Sequence, residues 1–225
     1  MEIYIIFLGL GLIVFTYCLY LLGREDVIFI RKNVTLEQLF NVFFLTLFVS
    51  LFVSRLVFVL INPSWVYINP VEFLSLTTRP GVSVIGGVIG ASLFLVYYTK
   101  LKRLPLGRIF DFLALSFFAS LPFGVFGAFF ISNSLRFTES IFLPILYFFL
   151  FIFLLKVVFP KLLQGILKSG SIGLLVILLF SLIWFLTSMV KNRPGIFGFV
   201  SIEDILAVMT FFICLVLFIR QEGSR

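Results

Sequence analysis

Long apolar runs dominate this sequence. Seven stretches, about 3–22, 38–61, 82–99, 109–132, 140–159, 171–190 and 201–219, carry few charges. About 20 apolar residues suffice to take an α-helix across the hydrocarbon core of a bilayer. A helix also closes its backbone hydrogen bonds within its own segment, which a medium without water demands. The runs are too long, and not alternating, for barrel strands. The chain is 62% hydrophobic and 12% charged; soluble domains run nearer 45–50% and about 25%. No aqueous core could take up that much apolar surface. The expected fold is an all-α integral membrane protein, a single seven-helix transmembrane domain over residues 1–225.

The basic residues orient it. Seven helices place the first, third and fifth loops on the same side as the C-terminus. That side holds Arg24, Arg31, Lys32, Lys100, Lys102, Arg103, Arg108, Lys156, Lys161, Lys168, Arg220 and Arg225, twelve of the 17 Lys and Arg. The other side holds Arg79, Arg136, Lys191 and Arg193, and Arg55 lies within the second run. Basic loops stay in the cytoplasm, so the N-terminus is expected outside and the C-terminus inside. The net charge of +7 follows from this asymmetry and from anionic lipid; it does not point to nucleic acid. The first run has no basic stretch before it and no small-residue cleavage site, so it reads as a permanent helix. Cys18 and Cys214 fall within runs and read as small buried apolar residues. The chain has no histidine, hence neither the commonest general base nor the commonest metal ligand. No zinc pattern, phosphate loop or nucleophile elbow is present, and no cofactor is expected. No pair of interrupted helices in matching halves suggests a transporter.

Three places break the apolar background. Arg55 stands in SRLVFVLINP. A charge at that depth faces the bundle interior or a wet cavity, or it snorkels outward, since Asn62 marks the run's end. Next, Gly86, Gly87 and Gly90 follow Ser83 and the Arg79-Pro80-Gly81 turn. The Gly86–Gly90 spacing lets two helices touch closely; alternatively, it opens a helix start to an anionic headgroup. Last, in LPFGVFGAFFISNSLRF, Pro122, Gly124 and Gly127 weaken a helix, and Ser132, Asn133, Ser134 and Arg136 follow it. Between the first two places, the loop from Asn62 to Gly81 carries Trp65 and Tyr67, which suit a headgroup-level belt or a re-entrant stretch.

In that order, these places resemble the phosphatidylglycerol–prolipoprotein diacylglyceryl transferase family. The family's A-R-L-x-Y-V-L, N-P and P-x-E correspond to Ser54 to Leu60, Asn62-Pro63 and Pro70-Val71-Glu72. Its G-x-S-F-H-G-G-x-I-G corresponds to Gly81 to Gly90, and its G-R-x-G-N-F to Gly124 to Phe129. Asp111 matches the acid that opens the intervening helix, and Tyr4 and Gly11 match the first helix. The likeness spans nearly the whole chain. It implies transfer of a diacylglyceryl group from phosphatidylglycerol to the lipobox cysteine of a prolipoprotein, with phosphatidylglycerol and the prolipoprotein signal peptide as partners, in the bacterial plasma membrane. It also implies a lipid and phosphate site at Arg55, Ser83, Gly86, Gly87, Gly90, Gly124, Gly127, Asn133 and Arg136, with Tyr4 as a catalytic candidate.

The family's polar chemistry is thinned. Its histidine falls on Ile85, its signature arginine on Val125 and its asparagine on Ala128. On the sixth run its polar pattern meets Phe180, Trp184, Phe185, Ser188 and Lys191. The reaction must deprotonate a thiol and steady a departing glycerol phosphate, for which an arginine fork is the matched partner. Losing one preorganised donor typically lowers a rate about 10²–10³-fold. Arg55, Arg79, Arg136, Lys191 and Arg193 are the candidate replacements at a headgroup. Glu72, Glu139 and Asp111 are the remaining proton acceptors, with Asp111 expected as a structural cap or ion-pair partner. Two functions follow: a divergent transferase, or a catalytically inactive relative that binds phospholipid or a partner.

Overall fold

A computed structural model describes residues 2–24, 26–64, 67, 69, 73, 81–129, 137–190 and 201–223, with the side chains of 2–5, 129, 137–140 and 190 left out. Each apolar run forms a helix. They are α1 (Glu2–Arg24), α3 (Leu36–Ile61), α4 (Val84–Leu101), α5 (Leu106–Phe129), α6 (Phe137–Phe153), α8 (Ser171–Val190) and α9 (Ile202–Gly223). Two short helices, α2 (Val27–Arg31) and α7 (Phe159–Leu163), were not anticipated. Among the described residues, seven helical segments are long and apolar enough to cross a membrane, the fifth running from α6 through α7. The described residues contain no strand.

Local chemistry explains the ends. Thr35 and Gln38 form a reciprocal capping box before α3, each side chain accepting the other's backbone N–H at 3.2 and 3.3 Å. Ser201 and Asp204 do the same at α9. Helices α2, α4 and α7 end in left-handed residues, Asn33 (φ 52), Arg103 (φ 55) and Gly165 (φ 74). In each, the next residue's N–H returns to a carbonyl five positions back, at Phe29, Thr99 and Lys161, which satisfies otherwise orphaned carbonyls. A π turn, Leu154–Val158, joins α6 to α7. Pro160 has no N–H for the carbonyl four residues back, and a wider turn redistributes the bonds across that gap.

By packing, the chain falls into two compact units. The first comprises Met1–Leu39, Gly107–Val176 and Arg220–Arg225, with α5 as its hub. Half of the apolar window of α5 is buried, against 17% for α3 and for α9. Helix α1 runs antiparallel to α5: Phe7 meets Phe126 edge to face at 5.2 Å, and a Cβ on Gly11 would touch Ser120 and Phe123. Phe29, Tyr147 and Phe159 also pack on α5, at Phe112, Phe118 and Phe112 respectively.

The first turns of α5 organise one end of this unit. Arg108 Nη2 lies 2.7 Å from Asp26 Oδ2, and both side chains are buried. Asp26 Oδ1 meanwhile accepts the N–H groups of Ile28 and Phe29 and caps α2. Asp111, 1% exposed, accepts Gly170 N at 2.7 Å and Gly173 N at 2.8 Å. It caps α8 from another helix, as a cap expected of it in sequence. Glu222 accepts the N–H of Lys168 and the hydroxyl of Ser171, tying the end of α9 to the same turn. Cys18 and Cys214 are free and buried.

The second unit comprises Phe40–Leu106 and Ile177–Ile219. The pair α3 and α4 within it carries the glycine motif.

Candidate functional site

Apolar side chains gain nothing by leaving lipid for one another, so membrane helices associate through close packing and hydrogen bonds. Both are present between α3 and α4. A Cβ added to Gly86 would lie 2.7 Å from Val57 Cβ, and one on Gly90 would lie 2.5 Å from Val53 Cβ. Neither distance is tolerable, so only glycine admits this approach. Gly87 faces Ser50, whose hydroxyl donates to the Gly87 carbonyl at 3.0 Å. The three glycines are buried and form the seat of α4 on α3.

The start of α4 is held by the same helix. Ser83 is its N-cap, and its Oγ accepts Gly86 N at 3.2 Å. Ser83 N donates to Ser54 O at 3.1 Å, and Ser54 Oγ donates to Ser83 O at 2.8 Å. Beside Ser54, Arg55 Nε donates to Phe73 O at 2.8 Å and Nη1 to Gly81 O at 2.5 Å. The guanidinium carbon sits 5.4 Å from the ring centroids of both Phe58 and Tyr67. Arg55 is 3% exposed. Burying a cation is expensive; charge-assisted bonds to carbonyls and two aromatic faces offset the loss of water. Of the alternatives open in sequence, Arg55 faces inward.

This unit thus brings Arg55, Ser83, Gly86, Gly87 and Gly90 together. Ile85, where the family has histidine, is 2% exposed, so that position is closed by an apolar side chain. Phe180 and Trp184, which meet the family's polar pattern on α8, have ring centroids 6.0 Å apart.

The other glycine pair belongs to α5, in the first unit. Gly124 is exposed and Gly127 buried. A Cβ on Gly124 would have no neighbour within 4 Å, unlike one on Gly86 or Gly90. Val125 is half-buried and Ala128 exposed. Tyr4 lies on α1 and Glu139 on α6, with side chains outside those described. Trp65, Glu72, Arg79, Asn133, Arg136, Lys191 and Arg193 lie outside the described residues.

Two features went unread in sequence. Ser50 and Ser54, one turn apart on α3, supply the polar contacts that meet the glycine face; small residues at i and i+4 were the available sign. Ser201-x-x-Asp204 is a capping box legible by its spacing alone.

No curated protein and no solved structure matches the chain. The sequence profile of the prolipoprotein diacylglyceryl transferase family matches residues 1–220. With seven helices apolar enough to span a bilayer and a match over nearly the whole chain, this multi-pass membrane protein belongs to the prolipoprotein diacylglyceryl transferase family, transferases of lipoprotein biosynthesis.

Proposed function

We propose that this protein moves the diacylglyceryl group of phosphatidylglycerol to the lipobox cysteine of a prolipoprotein. A carbon–sulfur bond forms, the bond to the phosphate oxygen breaks, and glycerol phosphate leaves with the thiol's proton. The observation that carries this reading is the family match over residues 1–220. The seven helices would act as one transmembrane domain in the bacterial plasma membrane, with the N-terminus outside and the C-terminus cytoplasmic. The family resemblance assigns lipid contacts near the start of α4, at Ser83, Gly86, Gly87 and Gly90, and separately at Gly124, Gly127, Asn133 and Arg136. Tyr4 is the catalytic candidate.

A second reading has its own support. Ile85, buried at 2% exposure, stands where the family places histidine and can neither accept nor donate a proton. A phospholipid- or partner-binding relative without catalysis fits that replacement.

The test is a transfer assay on purified protein in phosphatidylglycerol liposomes, supplied with a lipobox-cysteine peptide and run beside a full-length family enzyme. Mass spectrometry reads the thioether product. Product formation supports the transferase. Its absence while the control turns over favours the binding reading, and activity gained by Ile85→His would identify a dormant site.

A further inference from the structure

Resting on the proposed transfer reaction, we propose that Arg55 is a positioning residue that locks the start of α4 onto α3, and not a ligand of the lipid headgroup. The geometry is specific. Adjacent residues Ser54 and Arg55 grip the stretch Gly81–Ser83 by three bonds. These are Ser83 N to Ser54 O, Ser54 Oγ to Ser83 O, and Arg55 Nη1 to Gly81 O. A fourth, Arg55 Nε to Phe73 O, draws in a second point of the connecting segment. A guanidinium can take an oxyanion bidentately through Nε and Nη2 or through Nη1 and Nη2. Nε commits its single hydrogen to Phe73 O, which takes the first edge, and Nη1 commits one of its two to Gly81 O. With Phe58 and Tyr67 beside it and 3% exposure, the group is enclosed by protein.

What the clamp fixes is register. Gly86 must sit at Val57 and Gly90 at Val53; a slide of α4 by one residue would set side chains where only glycine fits. In lipid, apolar burial does not choose among such registers, whereas hydrogen bonds do. Arg55 therefore acts on the lipid site through Gly81 and Ser83, by setting where the first turn of α4 presents its backbone.

Amide exchange in the full chain, purified in micelles free of phosphatidylglycerol, tests this. The amides are those of Ser83, bonded to Ser54 O, and Gly87, bonded to Ser83 O. Arg55→Gln is expected to speed exchange at Ser83 by about tenfold or more, the loss of a charge-assisted bond. Arg55→Lys, which keeps one donor, is expected to retain part of the protection. Added phosphatidylglycerol is expected to leave the difference between wild type and Arg55→Gln unchanged. Equal exchange without lipid, or a difference that arises only with lipid, overturns the proposal and makes Arg55 a headgroup ligand. Ser54→Ala removes one bond of the clamp and leaves the charge in place. It is expected to speed exchange at both amides, no change counts against the clamp, and it decides the matter if the Arg55 variants do not fold. In the transfer assay, Arg55→Lys is expected to lower kcat with KM for phosphatidylglycerol held within about twofold; a raised KM at full kcat overturns positioning. If wild type transfers nothing, the transferase reading falls, and exchange still decides the clamp.

Discussion

Gly90 and Gly124 are both glycines in apolar helices, and their surroundings separate them. A Cβ at Gly90 would press on Val53, while one at Gly124 would meet nothing within 4 Å. Gly90→Ala is expected to destabilise by about 1–3 kcal/mol through overpacking. Gly124→Ala is expected to be neutral or to stabilise by up to about 1 kcal/mol, since alanine is the better helix former. Unfolding in micelles reads both. Because Gly124 belongs to the proposed lipid site, loss of transfer in a fully stable Gly124→Ala would assign it a functional role. Arg103 offers a second single-residue test. Its φ of 55 is a conformation that costs a non-glycine residue about 1 kcal/mol. Gly165 ends α7 in the same way without that cost. Arg103→Gly should therefore raise the unfolding midpoint of the solubilised protein, and an unchanged or lowered midpoint would contradict the strain.

At the scale of elements, helix ends carry the polar structure of this chain. Asp111 receives the amides of Gly170 and Gly173 on its two separate oxygens. Asn at that position offers one acceptor oxygen and turns an NH2 toward a donor. Asp111→Asn is expected to cost about 2–3 kcal/mol, a charge-assisted bond lost with a buried amide left over, and to loosen the first turn of α8 in amide exchange before the rest of that helix. The long helices were legible in sequence to within a few residues, because each apolar run declares its own length. The short helix α2 was not: five residues show no periodicity, and its cap, Asp26, reads in sequence as one more loop acid. The π turn at Leu154–Val158 was hidden for another reason. A proline such as Pro160 interrupts helical bonding, but whether the chain bends, ends or widens there depends on what packs beside it. The glycine motif was legible as a motif only. That Val53 and Val57 press against its glycines could not be read from the motif.

Across the whole molecule, seven crossings would put the two termini on opposite faces of the membrane, and the bias of twelve of 17 basic residues is the reason to propose that the C-terminal face is cytoplasmic. Single cysteines added at either end, in a chain with Cys18 and Cys214 replaced by alanine, test this in intact cells. An impermeant maleimide should label the N-terminal cysteine directly and the C-terminal one only after permeabilisation. The opposite pattern would invert the topology and move the start of α4 to the cytoplasmic face. The sequence by itself determined the class, the number of membrane-length helices and this charge bias. Those are local properties: transfer into lipid and closure of backbone hydrogen bonds are decided residue by residue within a single run. Only the tertiary structure decided what the few polar groups hold. Arg55 meets a carbonyl 26 residues away, Asp111 an amide 59 away and Arg108 a carboxylate 82 away. Such partners are set by which helices pack together, and no window of the chain contains both halves of the contact.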